Sequence, residues 1–277
     1  MAERHHHPRP KPGPVALALR VAVIAYLFLL VAWPLFLVVQ NALASGLGPI
    51  SDLLADPDVR HALRLTAVAA AVSVAISTVF GVGMSVLLVR YDFPGKRILN
   101  ALVDLPLSVS PVVVGLALVL VYGGRDGWLG PALEDAGVQV IFATPGIILA
   151  TTFVVLPLVI REVVPVLEEV GIEQEQAATS LGASAWQTFR RITLPSIRWA
   201  VLYGVVLSLA RALGEFGAVK VVSGNVLGRT RTAPLVVEEK YLNFDRDGAY
   251  ATALLLVLVS VAAIVAVSLI RNDRETT

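Results

Sequence analysis

The chain has 277 residues, of which 56% are hydrophobic and 16% carry a formal charge. About 25% of residues are charged in an average soluble domain, so this composition is typical of a membrane protein. A net charge of +1 gives no reason to expect nucleic acid as a partner. The absence of cysteine excludes disulfides, thiolate metal sites and cysteine nucleophiles.

The chain begins with a polar, proline-rich stretch that contains His5, His6 and His7. We interpret residues 1–14 as a disordered cytoplasmic tail or a cloning remnant, with metal binding by the three histidines as the alternative. The apolar run that follows, Val15–Val39, is longer than the ~7–15 residues of a signal-peptide core. We therefore expect a retained membrane span.

Six apolar segments reach, or nearly reach, the length of about 20 residues that a helix needs to cross a bilayer. They are Val15–Val39, Leu63–Val89, Ile98–Tyr122, Phe142–Ile160, Ala200–Val222 and Ala249–Ile270. Strands of a membrane barrel alternate in polarity over ~10 residues, whereas these runs are continuously apolar. The sequence therefore predicts an all-α integral membrane protein, with six transmembrane helices in residues 15–270.

The distribution of Lys and Arg among the loops predicts the orientation of these spans. With the N-terminus in the cytoplasm, the cytoplasmic segments hold about twice as many Lys and Arg residues as the outer ones. Both termini are therefore predicted to be cytoplasmic, with residues 271–277 as a second short tail.

Prolines interrupt the third predicted span at Pro106 and Pro111. Because proline lacks the backbone donor that a helix interior requires, this span cannot be one straight helix. A kink that serves only packing and a broken helix that lines a translocation path are both compatible with the sequence.

The segment Glu173–Arg198, between the fourth and fifth spans, is too polar to enter the bilayer. Its apolar residues recur every three or four positions, as on one face of a helix: Ala178, Leu181, Ala185, Phe189 and Ile192. Gly182 can end one helix, Ser184 and Gln187 have the spacing of a capping box that starts another, and Pro195 is expected to end it. The sequence thus predicts a cytoplasmic hairpin of two short helices, which either rests on lipid headgroups or docks to a soluble partner.

Arg211 and Glu215 lie four residues apart inside the fifth predicted span. A charge in mid-membrane costs roughly 2.5–3.5 kcal/mol on insertion scales, so it should be paired and face protein or water. A structural ion pair and a weak contact to an anionic substrate remain alternatives. Ser223, Gly224 and Asn225 follow this span, and they form either an ordinary turn or a set of uncharged donors for an oxyanion.

The hairpin segment resembles the EAA loop of ABC-importer permeases. The matching residues are Gln176, Ala177, Ala178, Gly182, Ile192, Leu194 and Pro195, and the family's glutamate is replaced by Gln176 with Glu175 beside it. The resemblance implies that this coupling-helix loop, within residues 163–198, contacts an ATPase subunit. The replacement puts any capping or salt-bridge role of the motif glutamate in doubt.

The segments Arg211–Val219 and Val221–Asn225, together with Val237–Glu238, resemble the sulfate/thiosulfate permeases, and within them the CysW type. Molybdate permeases share the G-E-F-G-A stretch, so molybdate or tungstate is the alternative substrate. The resemblance implies a type I ABC importer permease that moves sulfate or thiosulfate across a bacterial inner membrane. Arg211, Glu215, Ser223, Gly224 and Asn225 are then candidates for the substrate path.

The same resemblance implies partners: a homologous CysT-type permease, two copies of an ABC ATPase and an extracytoplasmic sulfate-binding protein. The chain lacks the G-x-x-x-x-G-K-[ST] motif that cradles phosphates, so ATP and Mg²⁺ are expected on the ATPase, with no cofactor and no enzyme activity here. A membrane-embedded enzyme or a stand-alone secondary transporter would need ionisable groups converging from several spans. The clear mid-span pair is Arg211 with Glu215, and we interpret His61 as a surface residue.

Overall fold

A computed structural model describes residues 14–272 of the chain. The predicted tail that contains His5, His6 and His7 and the last five residues lie outside this part. The helices are α1 (Pro14–Leu27), α2 (Trp33–Leu43), α3 (Gly48–Ala55), α4 (Pro57–Arg90), α5 (Lys96–Ser108), α6 (Pro111–Tyr122), α7 (Gly130–Asp135), α8 (Thr144–Val170), α9 (Glu173–Ser180), α10 (Ala185–Thr188), α11 (Leu194–Leu213), α12 (Gly217–Ser223), α13 (Ala233–Leu242) and α14 (Arg246–Asn272). Widened π-helical turns, Phe28–Ala32 and Phe189–Thr193, join α1 to α2 and α10 to α11.

Several of these helices are long and apolar enough to cross a membrane. They are Ala18–Leu43, Pro57–Arg90, Thr144–Val170 and Ala185–Leu213, and the bent pair α5–α6 makes a fifth if it counts as one span. The predicted all-helical membrane class is therefore confirmed. α14 overlaps the sixth predicted segment, while the total of six and the cytoplasmic position of both termini stay predictions.

The third predicted span is broken and not merely kinked. α5 and α6 meet at an angle of 114°. Between them, Val109 and Ser110 have extended backbones, and Pro111 is the first residue of α6. A residue before proline avoids helical geometry, and proline is well tolerated in the first turn of a helix, so the break falls where the sequence requires it.

The core consists of α8 with α4 and α11 packed against it. The packing is limited by glycine on both sides of one buried side chain, Val159. A Cβ atom at Gly81 of α4 would lie 2.9 Å from Val159 Cβ, and one at Gly204 of α11 would lie 2.9 Å from Val159 Cα. Such close approach through small residues is the usual way in which membrane helices associate, because lipid offers no hydrophobic driving force between them.

The fifth predicted span also contains a break. α11 ends at Leu213, and the chain resumes as the short helix α12 at Gly217. The sequence predicts one continuous apolar span, Ala200–Val222, and this prediction is wrong for the backbone. Two glycines, Gly214 and Gly217, flank the break, and glycine is the least favourable residue for a helix interior after proline.

Candidate functional site

The loop between α8 and α11 contains the two short helices that the sequence predicts. α9 ends in a Schellman motif: the N–H of Gly182 donates to the Thr179 carbonyl (2.9 Å). The N–H of Ala183 donates to the carbonyl of Ala178 (3.0 Å). Gly182 has φ +86°, and a Cβ atom there would meet nothing within 4 Å. Glycine is therefore needed here for its backbone conformation and not for space.

A capping box starts the second helix of this loop. The backbone N–H of Gln187 donates to the Ser184 hydroxyl (3.3 Å), and the N–H of Ser184 donates to the Gln187 side-chain oxygen (2.9 Å). The predicted hairpin, with its glycine turn and capping box, is thus confirmed. Residues 163–170, at the start of the predicted loop, continue α8.

The predicted end of the second helix at Pro195 is wrong. The chain passes through the π-helical turn Phe189–Thr193 directly into α11, so that Ala185–Leu213 is one helical span. In this turn the N–H of Leu194 donates to the carbonyl of Phe189, five residues back. Because this register change comes just before it, Pro195 falls in the first turn of α11, where its missing donor has no cost.

Glu175 is the centre of a charged cluster at the base of this loop, which we call the Arg90 clamp. The Glu175 carboxylate accepts hydrogen bonds from Arg90 Nε (2.9 Å) and Nη2 (3.3 Å) and from the Thr193 hydroxyl (2.8 Å). The same guanidinium donates to the carbonyls of Leu167 (3.0 Å) and Gly171 (2.7 Å), at the C-terminal end of α8. The clamp therefore ties α4, α8, α9 and the turn before α11 together.

The remaining residues of the predicted motif lie mostly at the surface. Gln176, Ala177, Leu194 and Pro195 are exposed, and Ala178 and Ile192 are half-buried. Two large apolar side chains at the tip are strongly exposed, Leu181 at 89% and Trp186 at 66%, and the Trp186 ring stacks on Phe189. Exposed apolar groups clustered on a polar loop are typical of a surface that binds a partner.

The predicted charged pair lies at the break between α11 and α12, with Arg211 in the last turn of α11 and Glu215 in the break itself. Arg211 Nη1 lies 2.7 Å from Glu215 Oε2, and the side chains are 41% and 1% exposed. Glu215 Oε1 also accepts a hydrogen bond from the backbone N–H of Ala218 (3.0 Å), in the first turn of α12. Glu215 thus anchors the first turn of α12, while part of the Arg211 side chain stays accessible to solvent.

The two helix breaks meet in space. A Cβ atom at Gly217, the start of α12, would lie 3.1 Å from Cβ of Pro111, the start of α6. One helical turn further on, a Cβ atom at Gly115 would lie 2.9 Å from the Ala218 carbonyl and 2.8 Å from Val221 Cβ. α6 and α12 therefore pack at the closest distance that glycine permits, and the ends of both interrupted segments lie side by side.

Ser223, Gly224 and Asn225 form a tight turn at the end of α12. Gly224 and Asn225 both have left-handed backbones, at φ +66° and +52°. The Asn225 N–H donates to the Ser223 hydroxyl (3.2 Å), and the Thr230 hydroxyl donates to the Ser223 carbonyl (2.6 Å). Arg231 Nε donates to the Asn225 side-chain oxygen (3.0 Å). These oxygens are therefore engaged within the turn, and its predicted role in holding an anion stays a prediction.

Phe142 packs against this turn in an unusual conformation. Its backbone has φ +61°, and its N–H donates to the Val222 carbonyl (2.8 Å). A Cβ atom at Gly224 would lie 2.6 Å from the Phe142 ring, so the glycine is needed for space as well as for its backbone conformation. A bulky residue in the left-handed region costs roughly 1–3 kcal/mol, which the surrounding contacts have to offset.

The predicted site residues thus fall into two groups at opposite ends of α11. Sequence reasoning missed Arg90 and Arg231, which help to organise these groups. Arg90 lies 85 positions from Glu175, whereas Arg231 lies only six positions after Asn225. Within residues 14–272, no three His, Asp or Glu side chains are placed to share a metal ion.

The fold and the two groups define an all-helical membrane protein with an exposed helical hairpin, and comparison with known proteins gives its family. Residues 77–273 match the family model described as "Binding-protein-dependent transport system inner membrane component". The chain therefore belongs to this family of transport-system membrane components.

Relatives agree with this assignment, and a solved structure shares the fold. The chain is 48% identical over 253 residues to the sulfate transport system permease protein CysW of Synechococcus elongatus, covering 91% of this chain and 88% of the relative. It is 37% identical over 247 residues to the protein named CysT of the same organism, covering 89% and 88%. The fold matches a chain in the crystal structure of a bacterial ABC transporter for alginate import with a TM-score of 0.79, at 16% identity, over 94% of this chain and 96% of that one.

Proposed function

We propose that this chain is the membrane-spanning permease subunit of an ATP-binding-cassette importer for sulfate. The observation that carries the proposal is the 48% identity to a protein named as a sulfate permease, which extends over 91% of this chain. The confirmed hairpin and the matching fold support the importer mechanism. In this proposal the protein crosses the bacterial inner membrane six times, with both termini in the cytoplasm.

The helical hairpin is the proposed contact to the ATPase. Leu181 and Trp186 would insert their exposed apolar side chains into a cleft of that subunit, with the glycine turn at Gly182 setting the angle between the two helices. Glu175, Gln176, Ala177, Ala178, Ile192, Leu194 and Pro195 complete this surface. ATP and Mg²⁺ would be bound by two copies of the ATPase subunit, and this chain would contribute no cofactor site.

The proposed substrate path runs past the paired helix breaks. A tetrahedral dianion needs donors that hold it briefly without trapping it. Arg211 fits this requirement because Glu215 neutralises part of its charge while 41% of its side chain stays exposed. The turn Ser223–Gly224–Asn225 would lie near the outer end of this path.

A second permease and a binding protein would complete the complex. The 37% identity to a CysT protein supports a homologous permease as the partner, because related subunits can share one pseudo-symmetric interface. Apolar side chains on α6 are exposed where such a partner could pack, including Leu116 at 53% and Leu120 at 74%. The family description itself supports delivery of the substrate by a separate binding protein.

The proposal is tested by uptake of labelled sulfate in cells that lack their own sulfate importer. The cells receive this chain together with its neighbouring permease, ATPase and binding protein, with thiosulfate and molybdate as competitors. We expect ATP-dependent sulfate uptake that an equal concentration of molybdate does not block. Complete block by trace molybdate would show that the substrate is wrong, and uptake without the ATPase would refute the importer mechanism.

An Arg211→Gln variant tests the path in the same cells. The control is Arg125→Gln, which removes one positive charge from the loop after α6, outside the proposed path. We expect Arg211→Gln to lower sulfate uptake about tenfold while the complex still assembles, which corresponds to the loss of about 1.4 kcal/mol of interaction. Equal uptake by both variants would remove Arg211 from the path.

A further inference from the structure

The cytoplasmic hairpin and the outer turn Ser223–Asn225 are joined along the chain by α8 and by α11, and without a covalent link by α4. The α8 route is interrupted at Gly171 and Ile172, which lie outside both α8 and the hairpin helix α9. The α11 route runs from the hairpin to α12, and it is interrupted at both ends. The π-helical turn Phe189–Thr193 precedes α11, and the backbone between Leu213 and Gly217 is not helical. A displacement of the hairpin can be absorbed at either interruption, because such turns are the usual hinge points of a helix.

The α4 route is continuous. α4 is a single helix of 34 residues whose one proline, Pro57, lies in its first turn. At 1.5 Å per residue it is about 51 Å long, well beyond the ~30 Å of hydrocarbon. The glycine-limited contact of Gly81 with Val159 also fixes α4 against α8, so these two helices cannot slide past each other without a clash.

The inner end of α4 is bound to the hairpin by the Arg90 clamp. Arg90 is the last residue of α4, and its side chain is only 10% exposed while that of Glu175 is 20% exposed. The Arg90 guanidinium donates to a carboxylate on α9 and to two carbonyls at the end of α8. Lysine cannot reproduce this geometry, because its ammonium group has a single nitrogen atom. A cation at the C-terminal end of α8 is also favoured by the helix dipole.

The outer end of α4 is bound to the segment that follows the turn. Thr66 Oγ1 accepts a hydrogen bond from the backbone N–H of Ala233 (2.8 Å), and both residues are buried. His61 Nε2 lies 3.2 Å from the Arg229 carbonyl. Leu65 packs in one buried cluster with Leu235, so the segment from Arg229 to α13 follows any movement of α4.

We propose that Arg90 is a positioning residue for transport, which makes α4 move with the hairpin and so carries its displacement across the membrane to the outer turn. The proposal rests on the proposed function, because the displacement comes from the ATPase. It goes beyond the proposed function in naming the non-covalent contacts of α4, and not the chain along α8 or α11, as the connection between the two ends.

The test uses the complete complex, reconstituted in vesicles with the partner permease, the ATPase and the binding protein. A single cysteine is introduced by Leu227→Cys, next to the outer turn, where the side chain is 53% exposed. The chain has no native cysteine, so this is its one labelling site. The labelling rate with a membrane-impermeant maleimide is measured with and without ATP, in parallel with sulfate uptake and ATP hydrolysis.

The variants are Arg90→Gln and Arg90→Lys, with Arg161→Gln as the matched control. Arg161 forms an ion pair with Asp104 (2.9 Å) between α8 and α5 but does not contact the hairpin. We expect both Arg90 variants to hydrolyse ATP within about twofold of the parent while sulfate transported per ATP falls at least about tenfold. The ATP-dependent change in labelling should disappear in them and persist in Arg161→Gln.

The alternatives give different results. A labelling change that persists in both Arg90 variants would overturn the proposal, as would uptake and hydrolysis that fall in parallel. If Arg90→Gln does not assemble, Arg90→Lys retains the charge at the end of α8 and decides the question alone. Failure of the parent complex to transport sulfate would count against the proposed function, whereas a parent that transports and variants that stay coupled would count against the α4 route.

Discussion

Replacement of Gly182 tests the hairpin geometry most directly, because the structure separates backbone strain from steric clash at this position. Gly182 has φ +86°, and no atom lies within 4 Å of the site of a Cβ. A substitution there therefore meets only the cost of the left-handed backbone, about 1–2 kcal/mol for an ordinary residue and more for a β-branched one. Since about 1.4 kcal/mol is a factor of ten, Gly182→Val should reduce the population of the correct turn at least about tenfold.

The chain offers a matched control at Gly137, after α7. Gly137 has φ +79°, no atom lies within 4 Å of its Cβ position, and it ends its helix with the same pair of hydrogen bonds as Gly182. Gly137→Val therefore carries the same backbone strain away from the hairpin. Asparagine tolerates the left-handed region better than valine, so Gly182→Asn should be the milder of the two changes at Gly182.

The assay measures sulfate uptake, ATP hydrolysis and thermal stability of the reconstituted complex for each variant. We expect similar losses of stability in Gly182→Val and Gly137→Val, but a loss of sulfate transported per ATP only in Gly182→Val, with Gly182→Asn intermediate. Normal uptake by Gly182→Val at normal expression would refute the role of this turn in coupling. Equal loss of coupling in Gly137→Val would show that general destabilisation is the cause.

Three further predictions concern residues that follow α11. Glu215→Ala removes both the ion pair with Arg211 and the hydrogen bond that anchors α12. We expect the free energy of unfolding, measured in detergent, to fall by about 1.5–3 kcal/mol. An unchanged melting temperature would contradict this prediction. Gly224→Ala should cost about 1–3 kcal/mol because its Cβ meets the Phe142 ring at 2.6 Å, and the double variant with Phe142→Ala should lose less than the sum of the single changes. The hydrogen bond from Lys240, together with one from the backbone N–H of Gly248, holds the pKa of Asp245 below its ordinary value of 3.8. The ionised Asp245 carboxylate therefore stabilises the fold above pH 3.8, and this contribution is lost as the pH falls through the lower pKa of the folded state. The difference in melting temperature between the parent and Asp245→Asn should therefore shrink below pH 3.8, and a difference that stays constant would argue against this interaction.

The hairpin could be predicted in detail because its signals are local. Gly182 specifies the left-handed turn, and Ser184 with Gln187 specifies the next helix start, within a span of a few residues. The interruption of the third span is also indicated locally, by Pro106 and Pro111. Local chemistry of this kind survives in the folded protein when no tertiary contact opposes it.

Two features that the sequence did not predict depend on hydrogen-bond register or on distant contacts, whereas the glycines that flank the break in the fifth span, Gly214 and Gly217, are visible in the sequence. From the sequence, Pro195 predicts a helix end, and the structure shows instead that a shift in hydrogen-bond register in the preceding turn lets the helix continue. The Arg90 clamp joins residues 85 positions apart, and Arg90 belongs to no local motif. This contact also shows that Glu175, beside Gln176, is the carboxylate that anchors the loop.

The position of Val159 between two glycines has a consequence for how this sequence can vary. Gly81 and Gly204 are already as small as a residue can be, so neither neighbour can shrink to accommodate a larger side chain at position 159. A substitution by isoleucine or leucine there can be absorbed only if whole helices separate. We therefore expect positions 81, 159 and 204 to constrain one another in an alignment of relatives, with any larger residue at 81 or 204 accompanied by alanine or glycine at 159.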